Sequence, residues 1–363
     1  MSKIINVTRA IYPTMLPYLF KHIKLLRSYW YTNDGRYVRE LENNLCKLWG
    51  VKNVVLMSNG TLPLIFLMNQ IPSNSKVITT PFSFVATTSS IVSTGNFPLF
   101  VDLAPKTLSI DTASLDEIIA KNNPSCVLLT FVYGLMPDMD VIKHLSKKYQ
   151  IPFYFDASHS FGVEKDGVSA LSHGSASTIS FHITKIFSTI EGGALVTNND
   201  ELANKARSWR NFGIHEGKIT DLGINGKMSE FHALFGIQSL KHVGREILRR
   251  RNLLEKYKQQ FNESEIEVVD SPNASYAPII FESEQKLLRA QAILIQNGII
   301  PRRYFYPSLD TLDFLPLISK SVCPNSRDIS ERILCLPIGK DVSSRKAIRI
   351  AHFVLKSVDN AKY

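Results

Sequence analysis

The stretch SFHITKIFSTIEGG, residues 180–193, connects two apolar runs that are predicted as buried strands. Lys185 lies between these runs, where burial would lower its pKa toward that of a neutral amine, the form that attacks carbonyl carbons. Ser180 could hydrogen-bond a phosphate, and Gly192-Gly193 permits the tight turn that returns the chain to the sheet. A lone lysine before a Gly-Gly turn is usually a solvated loop charge, so this interpretation depends on the rest of the chain.

Short apolar runs alternate with helical patterns up to about residue 240. The runs predicted as buried strands are Val54–Met57, Val77–Thr79, Pro98–Val101, Cys126–Phe131, Phe153–Phe155, Thr178–Phe181 and Ala194–Thr197. Helix-like stretches lie between many of them, near residues 61–69, 114–121, 139–149 and 200–210. This alternation predicts an α/β fold with a mostly parallel seven-stranded sheet, in which ligands bind outside the carboxyl ends of the strands.

The C-terminal third of the chain has a different pattern. The elements predicted there are a helical stretch from Ser229 to about Phe261, strands at Glu265–Val269 and Ala277–Phe281, and helices near 284–296 and 344–356. The length of the chain exceeds that of a usual single domain. We therefore expect a large α/β domain over residues 1–240, including the N-terminal segment, and a smaller α+β domain over residues 241–363.

Bulk properties disfavour several classes of protein. The sequence lacks a signal-peptide hydrophobic region and any apolar run near the ~18 residues that span a bilayer, which predicts a cytoplasmic protein without a membrane anchor. Four cysteines lie far apart, so we expect free thiols and no metal site. The net charge of +10 would suit nucleic acid or an anionic substrate. Its densest run, Arg249–Arg251, is interpreted as a solvated helix face, and no nucleic-acid-binding motif accompanies it.

Three further clusters follow predicted strands. Asn59-Gly60-Thr61 opens a helix whose N-terminus could bind a phosphate, although helix capping explains the same residues. Phe84 could lie flat on a cofactor ring or belong to the core. Asp156 ends an apolar run, so its poorly solvated carboxylate needs a partner, either a protonated pyridine ring or, as a helix cap, backbone N–H groups. His159 could contact a phenolic oxygen of such a ring or make an ordinary polar contact.

In their order along the chain, these clusters resemble the motifs of the DegT/DnrJ/EryC1/StrS sugar aminotransferases. The resemblance covers nearly the whole chain. It implies a fold-type-I aminotransferase that depends on pyridoxal 5′-phosphate (PLP), uses L-glutamate as amino donor and forms homodimers. It also implies that Lys185 forms the Schiff base with PLP and acts as general base. The other cofactor residues that it implies are Asp156 at the pyridine nitrogen, Phe84 on the ring, His159 near the phenolic oxygen, Gly60, Thr61 and Ser180 at the phosphate, and Asn59 beside them.

A second motif of the family joins two subunits. Residues 223–230, GINGKMSE, resemble the family's Gly-x-Asn-x-Arg-x-(Ser/Thr)-Glu loop, whose asparagine reaches the phosphate of the neighbouring subunit. The resemblance therefore implies that Asn225 binds the cofactor of the partner subunit. Lys227 stands where arginine is usual, which keeps the charge but loses the planar fork.

Four stretches are most similar to family members that aminate C4 of a nucleotide-linked 4-keto-6-deoxy sugar for O-antigen or other surface glycans. They are WYTNDG at 30–35, the phenylalanine-containing sequence after Lys185, GINGKM at 223–228 and RRYFYP at 302–307. This similarity implies that the substrate is a nucleotide-linked keto-sugar. The residues implied to contact it are Trp30, Tyr31, Thr32, Lys227 and Tyr306.

Other functions are also compatible with the predicted fold or with the positive net charge. An aminotransferase acting at C3 would differ only in which sugar carbon faces the cofactor. A PLP-dependent sugar dehydratase is disfavoured, because that branch typically carries histidine at the position of Lys185. The complete set of lysine, aspartate and phosphate-binding residues argues against a non-catalytic regulatory member. A nucleic-acid-binding protein would show salt-sensitive binding to unrelated duplexes.

Overall fold

The computed structural model describes residues 4–316 and 321–359. Its α-helices are α1 (Met15–Ser28), α2 (Arg36–Trp49), α3 (Thr61–Met68), α4 (Val85–Ser93), α5 (Thr112–Asn122), α6 (Met139–Tyr149), α7 (Asp200–Trp209), α8 (Glu230–Leu240), α9 (Val243–Phe261), α10 (Glu284–Gln296), α11 (Pro324–Arg332) and α12 (Ser344–Asp359). Its strands are β1 (Ile5–Asn6), β2 (Asn53–Met57), β3 (Lys76–Thr79), β4 (Phe97–Phe100), β5 (Cys126–Thr130), β6 (Phe153–Asp156), β7 (Glu164–Lys165), β8 (Val168–Ser169), β9 (Ala176–Ser180), β10 (Gly193–Thr197), β11 (Ile214–His215), β12 (Lys218–Ile219), β13 (Glu267–Val268), β14 (Ala277–Ile280), β15 (Ile299–Ile300) and β16 (Ile333–Leu336). Within the described ranges, every helix is too short or too polar to span a bilayer.

The central sheet has seven strands in the order β2-β10-β9-β6-β5-β3-β4. Neighbouring strands are parallel from β9 to β4, whereas β10 runs antiparallel to both β9 and β2. Every apolar run that was predicted as a strand before residue 240 lies in this sheet. The predicted α/β class and the mostly parallel seven-stranded sheet are therefore confirmed. All strands except β10 end at the same edge of the sheet, where α/β proteins bind ligands.

Both faces of the sheet are buried, as expected for a sheet that is covered by helices. In β2, Val54 and Leu56 belong to the larger hydrophobic core on one face, while Val55 and Met57 belong to a second core on the other. All four side chains are fully buried. Because successive side chains point to opposite faces, burial of both faces requires an uninterrupted apolar run.

Polar side chains mark the starts of several helices. Asp138 accepts hydrogen bonds from the N–H groups of Asp140 (3.0 Å) and Val141 (3.3 Å) and caps α6. Asn199 accepts from the N–H of Leu202 at 3.0 Å and caps α7. Such caps satisfy backbone donors that have no partner in the first helical turn. The predicted starts of α6 and α7 agree with these positions.

The C-terminal region, residues 241–316 and 321–359, contains a further hydrophobic core, separate from the two on the faces of the central sheet. Its three-stranded antiparallel sheet, in the order β13-β14-β16, packs with α9, α10 and α12. The short strand β1 near the N-terminus pairs with β15 of this region, with Ile5 opposite Ile299. The sequence did not predict this pairing. The α+β character of the region agrees with expectation, and the domain boundary between residues 240 and 241 stays a prediction.

Arg250 on α9 is fully buried, so the predicted solvated face at Arg249–Arg251 is wrong at this residue. Its Nε donates to Oε1 of Glu246 at 2.8 Å, and its Nη1 donates to the carbonyl of Ser275 at 3.2 Å. Glu246 also accepts hydrogen bonds from Arg249. A buried guanidinium is stable only when it is paired in this way. Helical periodicity does not identify such a residue, because Ser275 lies on another segment.

Candidate active site

A cavity of about 400 Å³ lies at the carboxyl ends of the sheet strands. Residues at or just after the ends of β2, β3, β5, β6 and β9 contribute to its wall. The predicted cofactor residues that line it are Asn59, Gly60, Thr61, Phe84, Asp156, His159, Ser180 and Lys185. The parallel sheet thus brings together residues from separate segments of the chain.

The N-terminus of α3 forms the end of the cavity that is suited to a phosphate. Oδ1 of Asn59 accepts hydrogen bonds from the N–H groups of Thr61 and Leu62, both at 3.0 Å, so Asn59 caps the helix. The hydroxyl-bearing residues Thr61 and Ser180 line the cavity nearby. The positive end of a helix dipole together with hydroxyl donors favours an anion.

Glycine is required at position 60 because a side chain would not fit there, and not because of the backbone conformation. Its φ of −77° is open to any residue. A Cβ atom at this position would lie 2.6 Å from Cβ and 2.9 Å from Cα of Ser180. The absence of a side chain lets the start of α3 approach the end of β9, so that both can contact one phosphate. Gly193 has a similar function, because its Cβ would lie 2.5 Å from the carbonyl oxygen of Asn59.

The Asp156 carboxylate is buried at the end of β6, with only 4 % of the residue exposed. Its Oδ2 accepts from the Thr87 hydroxyl at 2.9 Å. Its Oδ1 accepts from the hydroxyl and the N–H of Ser158, at 2.6 and 3.2 Å. The next element along the chain is strand β7, so the alternative that Asp156 caps a helix is wrong. A buried carboxylate at a cavity wall favours a cationic partner in the cavity.

Lys185 lies in the connection between β9 and β10 and lines the cavity. Its backbone N–H donates to the carbonyl of His182 at 2.9 Å, which fixes the turn. Burial lowers the pKa of the Lys185 amine to about 8, and the charge of Asp156 opposes this effect. An amine with that pKa is partly neutral near neutral pH and can attack a carbonyl carbon.

His159 is buried beside the lysine in a fixed orientation. Its Nδ1 accepts from the N–H of Tyr133 at 3.1 Å. Its ring stacks on Phe305, with centroids 5.6 Å apart and planes 6° apart. Burial and the charge of Lys185 hold the pKa of His159 well below its usual range. The ring is therefore neutral with its proton on Nε2, which makes that atom a hydrogen-bond donor.

The C-terminal region supplies part of the wall that sequence reasoning missed. The residues are Tyr276, Arg302, Tyr304 and Phe305. Phe84 is about half exposed, and its ring lies 6.3 Å from that of Phe305. The stretch 302–307 resembles family sequences, and this similarity is a signal that could have identified Arg302, Tyr304 and Phe305. Tyr276 offers no comparable signal, because it precedes an ordinary apolar strand.

Further lining residues flank Lys185 in the sequence. Nε2 of His182 lies 3.5 Å from Oε1 of Glu191, and its Nδ1 lies 2.8 Å from Oγ1 of Thr184. All three belong to the stretch 180–193, so nearness to Lys185 was the signal that could have identified them.

Six residues of the predicted site lie outside the lining of this cavity: Trp30, Tyr31, Thr32, Asn225, Lys227 and Tyr306. The Tyr31 hydroxyl donates to the carbonyl of Leu26 at 2.8 Å. Nζ of Lys227 lies 4.4 Å from the centre of the Phe212 ring. The contacts that were predicted for these residues stay predictions.

The donor set fits one cofactor. The polar end at α3 suits a phosphate, the buried carboxylate of Asp156 suits a protonated ring nitrogen, and the amine of Lys185 suits an aldehyde carbon. Pyridoxal 5′-phosphate carries these three groups on one small aromatic ring. An α/β fold with this site defines a PLP-dependent enzyme of fold type I.

Comparison with known proteins assigns the chain to one family within this class of enzymes. Residues 20–355 match the DegT/DnrJ/EryC1/StrS aminotransferase family. The chain is 39 % identical to a dTDP-4-amino-4,6-dideoxy-D-glucose transaminase of Shigella dysenteriae, over 91 % of this chain and 93 % of that protein. It is 31 % identical to an Escherichia coli protein of the same description, over 98 % and 99 %. The solved structure of DesI with its TDP-sugar product has a TM-score of 0.91 and 26 % identity, covering 99 % of this chain and 94 % of that one. The chain belongs to the DegT/DnrJ/EryC1/StrS aminotransferase family, and its cofactor is PLP.

Proposed function

We propose that the protein moves the amino group of L-glutamate to C4 of a nucleotide-linked 4-keto-6-deoxy sugar, converting dTDP-4-keto-6-deoxyglucose to dTDP-4-amino-4,6-dideoxyglucose. The product would enter O-antigen or another surface glycan. The proposal depends on one observation: Lys185, Asp156 and the N-terminus of α3, which is suited to a phosphate, share one cavity. The chain that contains this cavity is 39 % identical to a dTDP-4-amino-4,6-dideoxy-D-glucose transaminase.

The cofactor contacts are those that the family resemblance implies, and the cavity supports them because all of these residues line it. Lys185 would hold the cofactor covalently through Nζ, and Asp156 would pair with its ring nitrogen. His159 would donate from Nε2 to the phenolic oxygen, and Phe84 would cover one face of the ring. The phosphate would be bound by the segment Asn59-Gly60-Thr61 and by Ser180, which meet where Gly60 permits close approach.

The protein's part in the chemistry is to hold and move protons. The bound cofactor supplies an electron sink for the electrons of the broken C–H bond. With Lys185 free of the cofactor, its Nζ would take the proton from Cα of L-glutamate and pass it to the cofactor. In the second half-reaction Nζ would move a proton from the cofactor to C4 of the sugar, and the face that it approaches would decide the configuration of the amine. A pKa of about 8 suits both directions near neutral pH.

We propose a homodimer in which Asn225 binds the phosphate in the neighbouring subunit. The exposed apolar side chains of α1 support this arrangement, because apolar patches of this kind mark protein interfaces. They are Met15, Leu16, Leu19, Phe20, Ile23 and Leu26, each 46–69 % exposed in the single chain.

The sugar contacts remain as the family resemblance implies them. Trp30, Tyr31, Thr32, Lys227 and Tyr306 would contact the nucleotide sugar in the assembled dimer. Both substrates are small and water-soluble, which is compatible with a cytoplasmic location. We also propose the division into domains 1–240 and 241–363, supported by the separate hydrophobic core of the C-terminal region.

The test is a single-turnover reaction of the pyridoxamine phosphate form with dTDP-4-keto-6-deoxyglucose, followed by cofactor absorbance and by NMR of the product. Conversion to the PLP form with a 4-amino-4,6-dideoxyglucose product is expected. A 3-amino product from a 3-keto isomer, with no reaction of the 4-keto sugar, would contradict the proposal and support amination at C3. Lys185→Ala is the control, since it should bind pyridoxamine phosphate without turnover.

A further inference from the structure

Helices α9, α10 and α12 form a layer over one face of the C-terminal sheet. α12 packs against both α9 and α10, and all three helices bury apolar side chains in the core of this region. The alternate residues of the sheet, Ile280, Ile333 and Cys335, belong to another cluster together with Tyr276 and Phe305, which line the cavity. Because successive side chains of a strand point to opposite faces, the outer surface of the helical layer faces away from the candidate active site. We call it the outer helical surface.

The outer helical surface is strongly basic. On α12, Arg345, Arg349, His352 and Lys356 are exposed at helical spacing, so they form one line along the helix. The only acidic residue in the α12 sequence is Asp359, at its C-terminal end. The exposed lysines and arginines of the whole surface are Arg245 and Arg251 on α9, Arg289 on α10, and Arg345, Lys346, Arg349 and Lys356 on α12.

These charges are not neutralised by nearby carboxylates. Within residues 4–316 and 321–359, ion pairs join none of these lysines and arginines to an acidic side chain. The carboxylates on α9 and α10 pair with other cations, namely Glu246 with Arg249 and Arg250, Glu255 with Lys258, and Glu284 with Arg303. Charge of one sign that extends over three neighbouring helices attracts a large anionic partner.

Apolar side chains are exposed on the same three helices. They are Leu248 on α9, Leu288 and Ile295 on α10, and Ile348 on α12, each 41–63 % exposed. Ile348 lies in the same helical turn as Arg345 and Arg349. A lipid bilayer with anionic head groups suits both kinds of side chain, because hydrocarbon lies just beneath its negative charges. The phosphate backbone of a nucleic acid offers the negative charge alone.

We propose that the outer helical surface binds the anionic surface of a lipid bilayer. α12 would lie in the plane of the membrane, with its line of cations at the head groups and Ile348 below them. The binding would be peripheral, because each helix in the described ranges is too short or too polar to span a bilayer. The cavity would stay open to dissolved substrates, because the surface faces away from it. A cytoplasmic protein would meet such a surface, because cytoplasmic leaflets carry anionic lipids.

The experiment measures binding of the PLP-loaded protein to vesicles by co-sedimentation. The vesicles contain phosphatidylcholine, either alone or mixed with phosphatidylglycerol, and the measurements are made at low and at high salt. The basic variant combines Arg345→Gln, Arg349→Gln and Lys356→Gln. A matched control combines substitutions that remove the same charge from exposed positions on α5 and α6: Lys121→Gln, Lys143→Gln and Lys147→Gln. An apolar variant combines Leu248→Gln and Ile348→Gln.

We expect binding to vesicles with phosphatidylglycerol and not to phosphatidylcholine alone, and we expect it to weaken as salt rises. Each lysine or arginine near an anionic bilayer contributes about fivefold to the affinity, so the basic variant should bind about 100-fold more weakly. The control variant should bind as tightly as the wild type. The apolar variant should bind about tenfold more weakly, because it loses the burial of two half-exposed side chains. Unchanged PLP absorbance and melting temperature would show that the variants are folded.

Three results would overturn the inference. One is absence of binding to the vesicles with phosphatidylglycerol. Another is an equal loss of affinity in the basic and control variants, which would show that net charge acts instead of this surface. The third comes from a parallel titration with a short DNA duplex. If the duplex binds more tightly than the vesicles, and the basic variant loses this binding while the apolar variant keeps it, the surface is a nucleic-acid site instead.

Discussion

Replacing Thr87 by valine removes one hydrogen bond to the buried Asp156 carboxylate and nearly preserves the shape of the side chain. The Thr87 hydroxyl donates to Oδ2 at 2.9 Å, while Oδ1 accepts both of its hydrogen bonds from Ser158. A hydrogen bond to a charged group contributes about 1.5–3 kcal/mol. Because Oδ1 keeps its partner, we expect a loss near the lower end. A loss of about 1.5 kcal/mol in stabilising the charged cofactor ring slows the half-reaction with L-glutamate about tenfold.

Thr88, the next residue on α4, is a matched control. It is also fully buried, but its hydroxyl has no hydrogen-bond partner within residues 4–316 and 321–359. Thr88→Val should therefore leave the rate unchanged and keep or raise the melting temperature. The PLP form of each variant is mixed with saturating L-glutamate in a stopped-flow spectrometer, and thermal unfolding is recorded in parallel. Equal rates for Thr87→Val and Thr88→Val would refute the function assigned to the hydrogen bond between Thr87 and Asp156.

Three further predictions concern the cavity and the proposed dimer. Because the pKa of Lys185 is about 8, the rate at which the apoprotein captures PLP should rise as pH increases through 8 and then level off, as the amine loses its proton; a rate independent of pH would contradict this. Gly60→Ala, whose methyl group would lie 2.6 Å from its nearest neighbour, should weaken PLP binding about tenfold in a fluorescence titration, whereas Gly244→Ala, with open space at its Cβ, should not. Phe20→Glu on α1 should give inactive monomers in light scattering, whereas Leu288→Glu on α10 should remain an active dimer.

The strands were predictable because burial of both faces demands uninterrupted apolar runs. Helix α4 was not predicted, and its composition explains why. Residues 85–93, VATTSSIVS, consist mainly of β-branched residues and serines, which have low intrinsic helix propensity. Packing against the sheet, where Ile91 and Ser90 are fully buried, overrides that preference. Because the helix was missed, so was Thr87, which holds the Asp156 carboxylate.

The residues of the proposed cofactor site were predictable to the extent that they follow strands along the chain. Asp156, Lys185 and the segment 59–61 all stand directly after apolar runs, and parallel strands place such positions at one edge. Arg302 and Tyr276 belong to the C-terminal region, and their presence in the cavity wall depends on how that region packs on the sheet. Strand patterns carry no information on that packing, so sequence reasoning assigned these residues no role.

The two loops that were predicted to contact substrate are joined to each other beside the cavity. The N–H of Glu230 donates to the carbonyl of Tyr31, and the N–H of Ser58 donates to the carbonyl of Gly226, both at 2.9 Å. The Glu230 carboxylate accepts from the N–H of Tyr37 at 2.7 Å and thereby caps α2 from a distant part of the sequence. These contacts tie both loops to the end of β2, which leads directly into segment 59–61 of the proposed phosphate site. In the proposed homodimer, a change at the subunit contacts of either loop would therefore be transmitted to that site, and we expect variants that lose the dimer to lose PLP affinity as well.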